Sequence, residues 1–141
     1  MLGDGVISST SLPLLGMGID IADGRYELSD GRLTCDWKIG RSRKHFSLMQ
    51  ETMKAIAEGA NGKFKVNPTW LFRRVVTVHP LGGCPASASP NEGVVDPWGQ
   101  AHGVPGLWVV DGAALPGPVG PNPSLTIAAF ADRAAERMIN S

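Results

Sequence analysis

Hydrophobic and polar residues alternate in the first part of the chain. In residues 14–22 the alternation around Asp20 predicts a strand. The dipeptides Asp23-Gly24 and Asp30-Gly31 are typical of tight turns between paired strands, so residues 25–28 and 32–37 are predicted as two further strands. Together these segments predict a three-stranded antiparallel meander.

The pattern then changes to a helical period. Ser42 is a suitable N-cap, and Gly59 and Gly62 are suitable stop signals, so we predict a helix from Ser42 to about Gly59. The apolar positions that share one face of this helix are Phe46, Met49, Met53, Ile56 and Ala60. We interpret this face as core packing rather than as a cofactor site.

Three short apolar segments follow, and each predicts a strand. They are residues 63–66, the VVTV segment at 75–78, and residues 106–110. A terminal helix is predicted to begin with Asn122 as the N-cap and Pro123 as its first residue, because both residue types are favoured at those positions.

His79 directly follows the predicted VVTV strand. Pro80 ends that strand, and Gly82-Gly83 allow a sharp turn or a close approach of the backbone to a ligand. Side chains at such loop positions commonly carry function. We therefore expect His79 and the helix start at Asn122, 43 residues later, to meet at one site.

Composition narrows the class of protein. The chain has 141 residues, 43% of them hydrophobic and 18% charged, as expected for one folded domain rather than a disordered chain. The formal net charge is zero, which gives no reason to expect nucleic acid as a partner. The sequence contains neither a signal peptide nor an apolar run long enough for a transmembrane segment, so a cytoplasmic location is expected. Residues 1–12 have no pattern and are expected to be frayed.

The second half of the chain is unusually poor in charge. Residues 75–131 contain only three charged side chains (Glu92, Asp96 and Asp111) but nine of the eleven prolines and nine of the eighteen glycines. We expect this segment to run against another surface, either a cofactor or another protein. Cys35 and Cys84 could form at most one disulfide, and we expect reduced thiols.

Several chemistries fit parts of this pattern. His79 could act as a general base, and an Asp111-Gly112 turn could contact a cofactor. A hydrolase triad of Ser124, His79 and Asp111 is weakly supported because the G-x-S-x-G motif is absent. A metal site of His79, Cys84 and His102 has no recognised ligand spacing, so we expect no metal. The chain also contains no G-x-G-x-x-G or Walker motif for a nucleotide.

Three motifs, taken in order, point to a known family. The segments TVHPLGGCP, GLWVVDGAALPG and NPSLTI resemble the C-terminal end of the glucose-methanol-choline (GMC) flavoprotein oxidoreductases, and in particular their cholesterol oxidase-like branch. The meander at residues 14–37 resembles the last strands of that family's substrate domain. The chain departs from the family pattern at Ala86-Ser87, where methionine and glycine are expected, and at Pro121.

The resemblance implies roles for particular residues. His79 and Asn122 would be the catalytic pair beside the substrate hydroxyl. The residues near the FAD cofactor would be Asp111, Gly112, Gly120, Pro123, Ser124 and Leu125. The implied reaction is hydride transfer from the CH–OH group of a sterol or another alcohol to FAD.

The resemblance also implies an organisation for the chain. The expected fold class is α+β, with residues 13–74 belonging to a substrate-binding domain and residues 75–141 to an FAD-binding domain. The dinucleotide-binding N-terminal half of the family is missing from this sequence and would be the partner of this chain. The alternative is a truncated, non-catalytic module that self-associates as a homo-oligomer or scaffolds without binding flavin.

Overall fold

The computed structural model describes residues 11–140, so residues 1–10 of the segment expected to be frayed lie outside the description. The described chain combines helices with one two-stranded antiparallel sheet, which confirms a mixed α+β composition. Its elements are strands β1 (Tyr26–Ser29) and β2 (Arg32–Cys35), helices α1 (Arg43–Gly59), α2 (Pro68–Leu71) and α3 (Ser124–Ile139), and a 3₁₀ turn at Gly112–Ala114.

The hairpin β1–β2 is confirmed at the Asp30-Gly31 turn. Both turn residues have positive φ angles, 50° and 74°, as a type I′ turn requires, and Leu28 pairs with Leu33 across the hairpin. The third strand of the predicted meander is not formed. Residues 14–22 lack a paired neighbouring strand, and the segment instead follows the start of α1.

Helix α1 has the predicted length but a different N-terminal contact. Ser42 is the N-cap, yet its hydroxyl accepts a hydrogen bond from Ile21 N at 2.9 Å instead of capping the helix. At the other end, Asn61 (φ 56°) is the left-handed residue that ends the helix, and Gly62 N donates to Ala57 O at 2.7 Å. This is a Schellman motif with asparagine, not the expected glycine, in the left-handed position.

The predicted apolar face of α1 forms the packing surface of the N-terminal region. Phe46 contacts Trp37 and Trp70, with ring centroids 6.1 and 5.6 Å away. Gly16 lies so close to Met49 and Met53 that a Cβ on it would overlap both side chains. The stripe is therefore a packing face, as interpreted, although Ile56 at its far end is exposed.

The other predicted strands are wrong for the described chain. Residues 63–66, 75–78 and 106–110 form no strand, although Trp108 makes an isolated antiparallel bridge with Gln100. A strand requires a partner backbone, and Val76 and Val78 instead expose their side chains. High β-propensity alone does not supply that partner.

A small core lies in the C-terminal region. The buried hydrophobic residues there are Val95, Ala114, Leu115 and Ala134. Val95 is held by isolated bridges to Ala86 and Ala101, and Asp96 closes the next turn by accepting from Trp98 N and Gln100 N at 2.8 and 2.9 Å. In the described part of the chain, none of the helices combines the length and the apolar character needed to cross a bilayer.

Candidate active site

The HPLGGC segment lies along the 3₁₀ turn that follows Asp111. Gly82 N, Cys84 N and Ala86 N donate to the carbonyl oxygens of Gly112, Ala113 and Ala114 at 3.4, 2.8 and 2.8 Å, respectively. This run of hydrogen bonds satisfies the backbone of two loops that belong to no regular sheet. It places His79 at the start of the ladder, next to the second motif.

Gly112 is the point at which all three sequence motifs meet. It is buried, and a Cβ built on it would lie 3.0 Å from Leu81 Cδ2, 3.2 Å from Ile127 Cδ1 and 3.2 Å from Pro80 O. Leu81 belongs to the first motif and Ile127 to the third. Because a side chain would separate these segments, glycine permits their close approach.

Asp111 begins the 3₁₀ turn. Its Oδ1 accepts a hydrogen bond from Ala113 N at 2.8 Å, as an N-cap carboxylate does. The residue is exposed, so its second carboxylate oxygen can still receive a donor from outside the chain.

The start of α3 differs by one residue from the prediction. The helix begins at Ser124 with Pro123 in the N-cap position, whereas Asn122 stands one residue earlier. Asn122 nevertheless caps the helix with its side chain, because Oδ1 accepts from Ser124 N at 2.9 Å. The first backbone hydrogen bond of the helix joins Ile127 N to Pro123 O, which leaves earlier N–H groups of the first turn without intrahelical acceptors.

Ser124 connects the two halves of the site. Its Oγ lies 2.6 Å from Asn122 Oδ1 and 3.4 Å from His79 Nε2. The structure therefore brings His79 and the start of α3 together, as expected from sequence. The other ring nitrogen, His79 Nδ1, is buried and has no hydrogen-bond partner in the described chain.

The remaining candidate residues surround this cluster. Gly120 has φ 89°, a conformation that favours glycine, and a Cβ on it would lie 3.6 Å from Ile19. Pro123 is buried, whereas the Leu125 side chain is 84% exposed. Leu125 therefore presents its side chain outward from the first turn of α3, beside Ser124.

The two weaker chemistries gain little from this geometry. Asp111 Oδ1 is bound to Ala113 N, and no Asp111–His79 hydrogen bond is formed, so the Ser124–His79 contact lacks the third member of a hydrolase triad. His102 Nε2 lies 3.3 Å from Ser87 O. Within residues 11–140, no cluster of three or more His, Cys, Asp or Glu side chains could hold a metal ion.

Comparison with known proteins decides the family. The C-terminal model of the GMC oxidoreductases matches residues 29–131, which is most of the chain and includes the described site. The chain belongs to the GMC oxidoreductase family. Members of this family are in general FAD-dependent, and the match includes His79, Asp111 and Asn122.

Curated GMC oxidoreductases match over the C-terminal part of this chain. Cholesterol oxidase from Mycobacterium tuberculosis is 51% identical over 69 residues, which are 48% of this chain and 12% of the relative. Cholesterol oxidase from Acinetobacter baumannii is 47% identical over 64 residues, 45% of this chain and 12% of the relative. Paromamine 6'-oxidase from Streptomyces fradiae is 48% identical over 58 residues, 41% and 11%, respectively.

The matched part is thus about one eighth of the length of these curated relatives. No solved structure matches this chain significantly. The GMC oxidoreductases that match therefore include enzymes named for sterol and for aminoglycoside oxidation.

One contact in the site was not anticipated from sequence. Ser124 was expected to belong to the flavin-facing segment or to act as a nucleophile, but its hydroxyl instead joins Asn122 to His79. The Asn-Pro-Ser spacing contained a partial signal, because an asparagine side chain commonly bonds to the residue two positions later. The contact with His79 depends on tertiary structure and had no sequence signal.

Proposed function

We propose that this chain is the C-terminal, catalytic part of an FAD-dependent alcohol oxidoreductase that resembles cholesterol oxidase. The observation that supports the proposal best is the convergence of His79, Asn122 and Ser124 in a chain of the GMC family. In this proposal His79 accepts the proton of the substrate hydroxyl, and Asn122 orients the substrate oxygen.

The geometry of these residues is suited to this chemistry. His79 has a buried ring nitrogen without a partner, which is a site for a hydrogen bond to a bound hydroxyl. Asn122 uses Oδ1 to hold the start of α3, so its Nδ2 amide can donate to an oxygen of the substrate or cofactor. Both groups act by hydrogen bonding and need no charged neighbour.

The residues at the start of α3 fit a flavin. FAD would supply the hydride acceptor when bound. Gly120, Pro123, Ser124 and Leu125 would hold its ring system near the helix N-terminus, where free N–H groups and the helix dipole favour oxygen acceptors and negative charge. Asp111 and Gly112 would form the second contact segment, with the free Asp111 oxygen as acceptor and Gly112 keeping the motifs close.

The proposed organisation follows from the same relatives. Residues 13–74 would belong to a substrate-binding domain and residues 75–141 to an FAD-binding domain that is completed by a dinucleotide-binding partner segment. The exposed apolar side chains of the hairpin and of residues 75–78 would be covered in that assembly. The substrate would be a sterol or another alcohol, and the role would be in steroid metabolism.

A non-catalytic module is the second candidate. Exposed apolar residues on the hairpin, Leu28 and Leu33, also suit self-association of a chain that binds no flavin. Analytical ultracentrifugation together with flavin absorbance separates the two proposals. A flavin-free oligomer that persists when the complementary part of a relative is added supports the scaffold.

The catalytic role of His79 can be tested in a complemented enzyme. This chain would be mixed with the remainder of the M. tuberculosis cholesterol oxidase, expressed without its matched segment. We expect His79→Ala to lower kcat about 100-fold or more with a small change in KM, since general-base catalysis contributes in that range. His102→Ala is the matched control, because His102 contacts Ser87 O and not the site. Equal changes in kcat and in KM would show that His79 is structural.

A further inference from the structure

The hydrogen-bond directions within the Asn122–Ser124–His79 cluster can be worked out from its geometry. Asn122 Oδ1 accepts from the backbone N–H of Ser124 at 2.9 Å, and a backbone nitrogen can only donate. The atom of Asn122 that faces Ser124 is therefore the carbonyl oxygen and not the amide nitrogen. This fixes the orientation of the side-chain amide.

The Ser124 hydroxyl must then donate to Asn122. Its Oγ lies 2.6 Å from the same Oδ1, and an oxygen–oxygen contact of that length requires a proton between the atoms. A serine hydroxyl has one proton, so this bond uses its only donor. Ser124 can take part in a second hydrogen bond only as an acceptor.

The remaining bond of the cluster assigns the tautomer of the neutral histidine. Ser124 Oγ is 3.4 Å from His79 Nε2, and because the hydroxyl proton is committed to Asn122, His79 Nε2 must carry the proton in this contact. Its lone pair is then on Nδ1, which is the buried nitrogen without a partner in residues 11–140.

We propose that Ser124 is a positioning residue that holds His79 in the Nε2–H tautomer and directs its Nδ1 lone pair toward the reacting hydroxyl. The inference rests on the proposed function, in which His79 is the base. When the substrate O–H bond breaks, the proton goes to Nδ1, and the imidazolium keeps donating from Nε2 to Ser124. The electron pair of the O–H bond stays on the substrate oxygen, from which it can support loss of hydride to FAD.

The arrangement also links the base to Asn122. Both catalytic candidates bond to the same hydroxyl, so their relative position depends on one side chain in the first turn of α3. The contact with His79 is the longer of the two and is therefore the weaker one. Loss of the hydroxyl is expected to release His79 while the Asn122–Ser124 backbone contact remains.

The test is made first on the chain itself, without flavin. Long-range proton–nitrogen NMR spectra report the tautomer of each of the three histidines, which are assigned by His→Gln substitution. We expect the His79 Nε2 proton to be observable, slowly exchanging and close in space to the Ser124 β protons. Ser124→Ala should abolish the protection from exchange, and Ser124→Thr should keep it. Thr126→Ala, a hydroxyl deletion in the same helical turn, is the matched control and should leave His79 unchanged.

The second measurement uses the complemented enzyme. Ser124→Ala is expected to lower kcat about tenfold, the size of one ordinary hydrogen bond, with little change in KM, and Ser124→Thr should restore most of the loss. A proton on Nδ1 in the unsubstituted chain, or Nε2–H protection that survives Ser124→Ala, would overturn the inference. If the spectra agree but His79→Ala leaves turnover intact, the proposed function fails and the tautomer assignment stands.

Discussion

The N-terminal and C-terminal regions of this chain are folded in different ways. In residues 11–78 the hairpin strands are exposed along their whole length, and α1 contains no fully buried residue. In residues 79–140 the chain has little regular structure before α3, yet its only fully buried large side chain among the described residues, Val95, lies there. Regular secondary structure and a packed core are therefore separate properties in this molecule.

The difference shows what holds each region together. The N-terminal region depends on an aromatic contact of Phe46 with two tryptophans and on hydrogen bonds such as Ser42 to Ile21. The C-terminal region depends on backbone hydrogen bonds between loops and on glycines that allow close approach. Stability should accordingly be more sensitive to small backbone changes in the second region than to side-chain changes in the first.

The largest expected effect comes from Gly99. It has φ 98°, and a Cβ on it would lie 2.8 Å from Val109 O, so Gly99→Ala adds left-handed strain and a clash with the backbone. We expect a loss of about 3 kcal/mol in the free energy of unfolding, measured by urea denaturation.

Gly103 provides the control for this substitution. It has a similar φ, 75°, but no atom lies within 4 Å of its Cβ position. Gly103→Ala should therefore cost only the backbone strain, about 1 kcal/mol. If both variants lose the same free energy, close loop packing does not stabilise the C-terminal region.

The next effect compares one apolar residue from each region. Val95 is 0% exposed and Leu33 is 69% exposed. Val95→Ala should cost about 2 kcal/mol because it removes buried methyl groups and leaves a cavity. Leu33→Ala should cost less than about 0.5 kcal/mol in this chain, since its side chain is already largely in water.

The same pair also tests the proposed assembly. Leu33→Ala should have a larger effect when the complementary part of a relative is present, because the hairpin side chains would then be covered. An equal effect in the free and the complemented chain would contradict coverage of the hairpin.

The smallest effect concerns the attachment of α3 to the Asp96–Gln100 turn. The Arg133 guanidinium lies 4.5 Å from the Trp98 ring centroid and donates to Pro97 O. Arg133→Lys keeps the charge but loses the planar stacking and the geometry of the hydrogen bond, so thermal unfolding should show a loss of about 1 kcal/mol. Arg137→Lys is the control, because Arg137 lies farther from the same ring, at 5.6 Å. A larger loss for Arg137 would show that Arg133 is not the main contact.

Local sequence signals predicted the elements that form by local hydrogen bonds. The Asp30-Gly31 hairpin, helix α1 and, within one residue, helix α3 all follow from turn, cap and period. The strands at 14–22, 63–66, 75–78 and 106–110 were predicted from β-propensity, and they failed because a strand depends on a distant backbone partner. In a family whose curated relatives are about eight times the length of the matched segment, such partners can lie in other parts of the protein.

The candidate site was predictable to a similar extent. The order of the three motifs allowed the expectation that His79 and Asn122 meet, and the geometry agrees. The bridge through Ser124 and the close packing at Gly112 could not be predicted, because both depend on the distance between segments more than 30 residues apart along the chain. Periodicity and propensity contain no information about such distances.

The most direct test of the proposed function is flavin absorbance of this chain mixed with the FAD-binding remainder of the M. tuberculosis cholesterol oxidase. We predict that the mixture binds oxidised flavin and that cholesterol bleaches its visible absorbance, whereas the mixture containing His79→Ala binds flavin but is not bleached. Flavin that is bound and bleached equally well with either chain would contradict a catalytic role for His79. Failure of the mixture to bind flavin at all would favour the non-catalytic module.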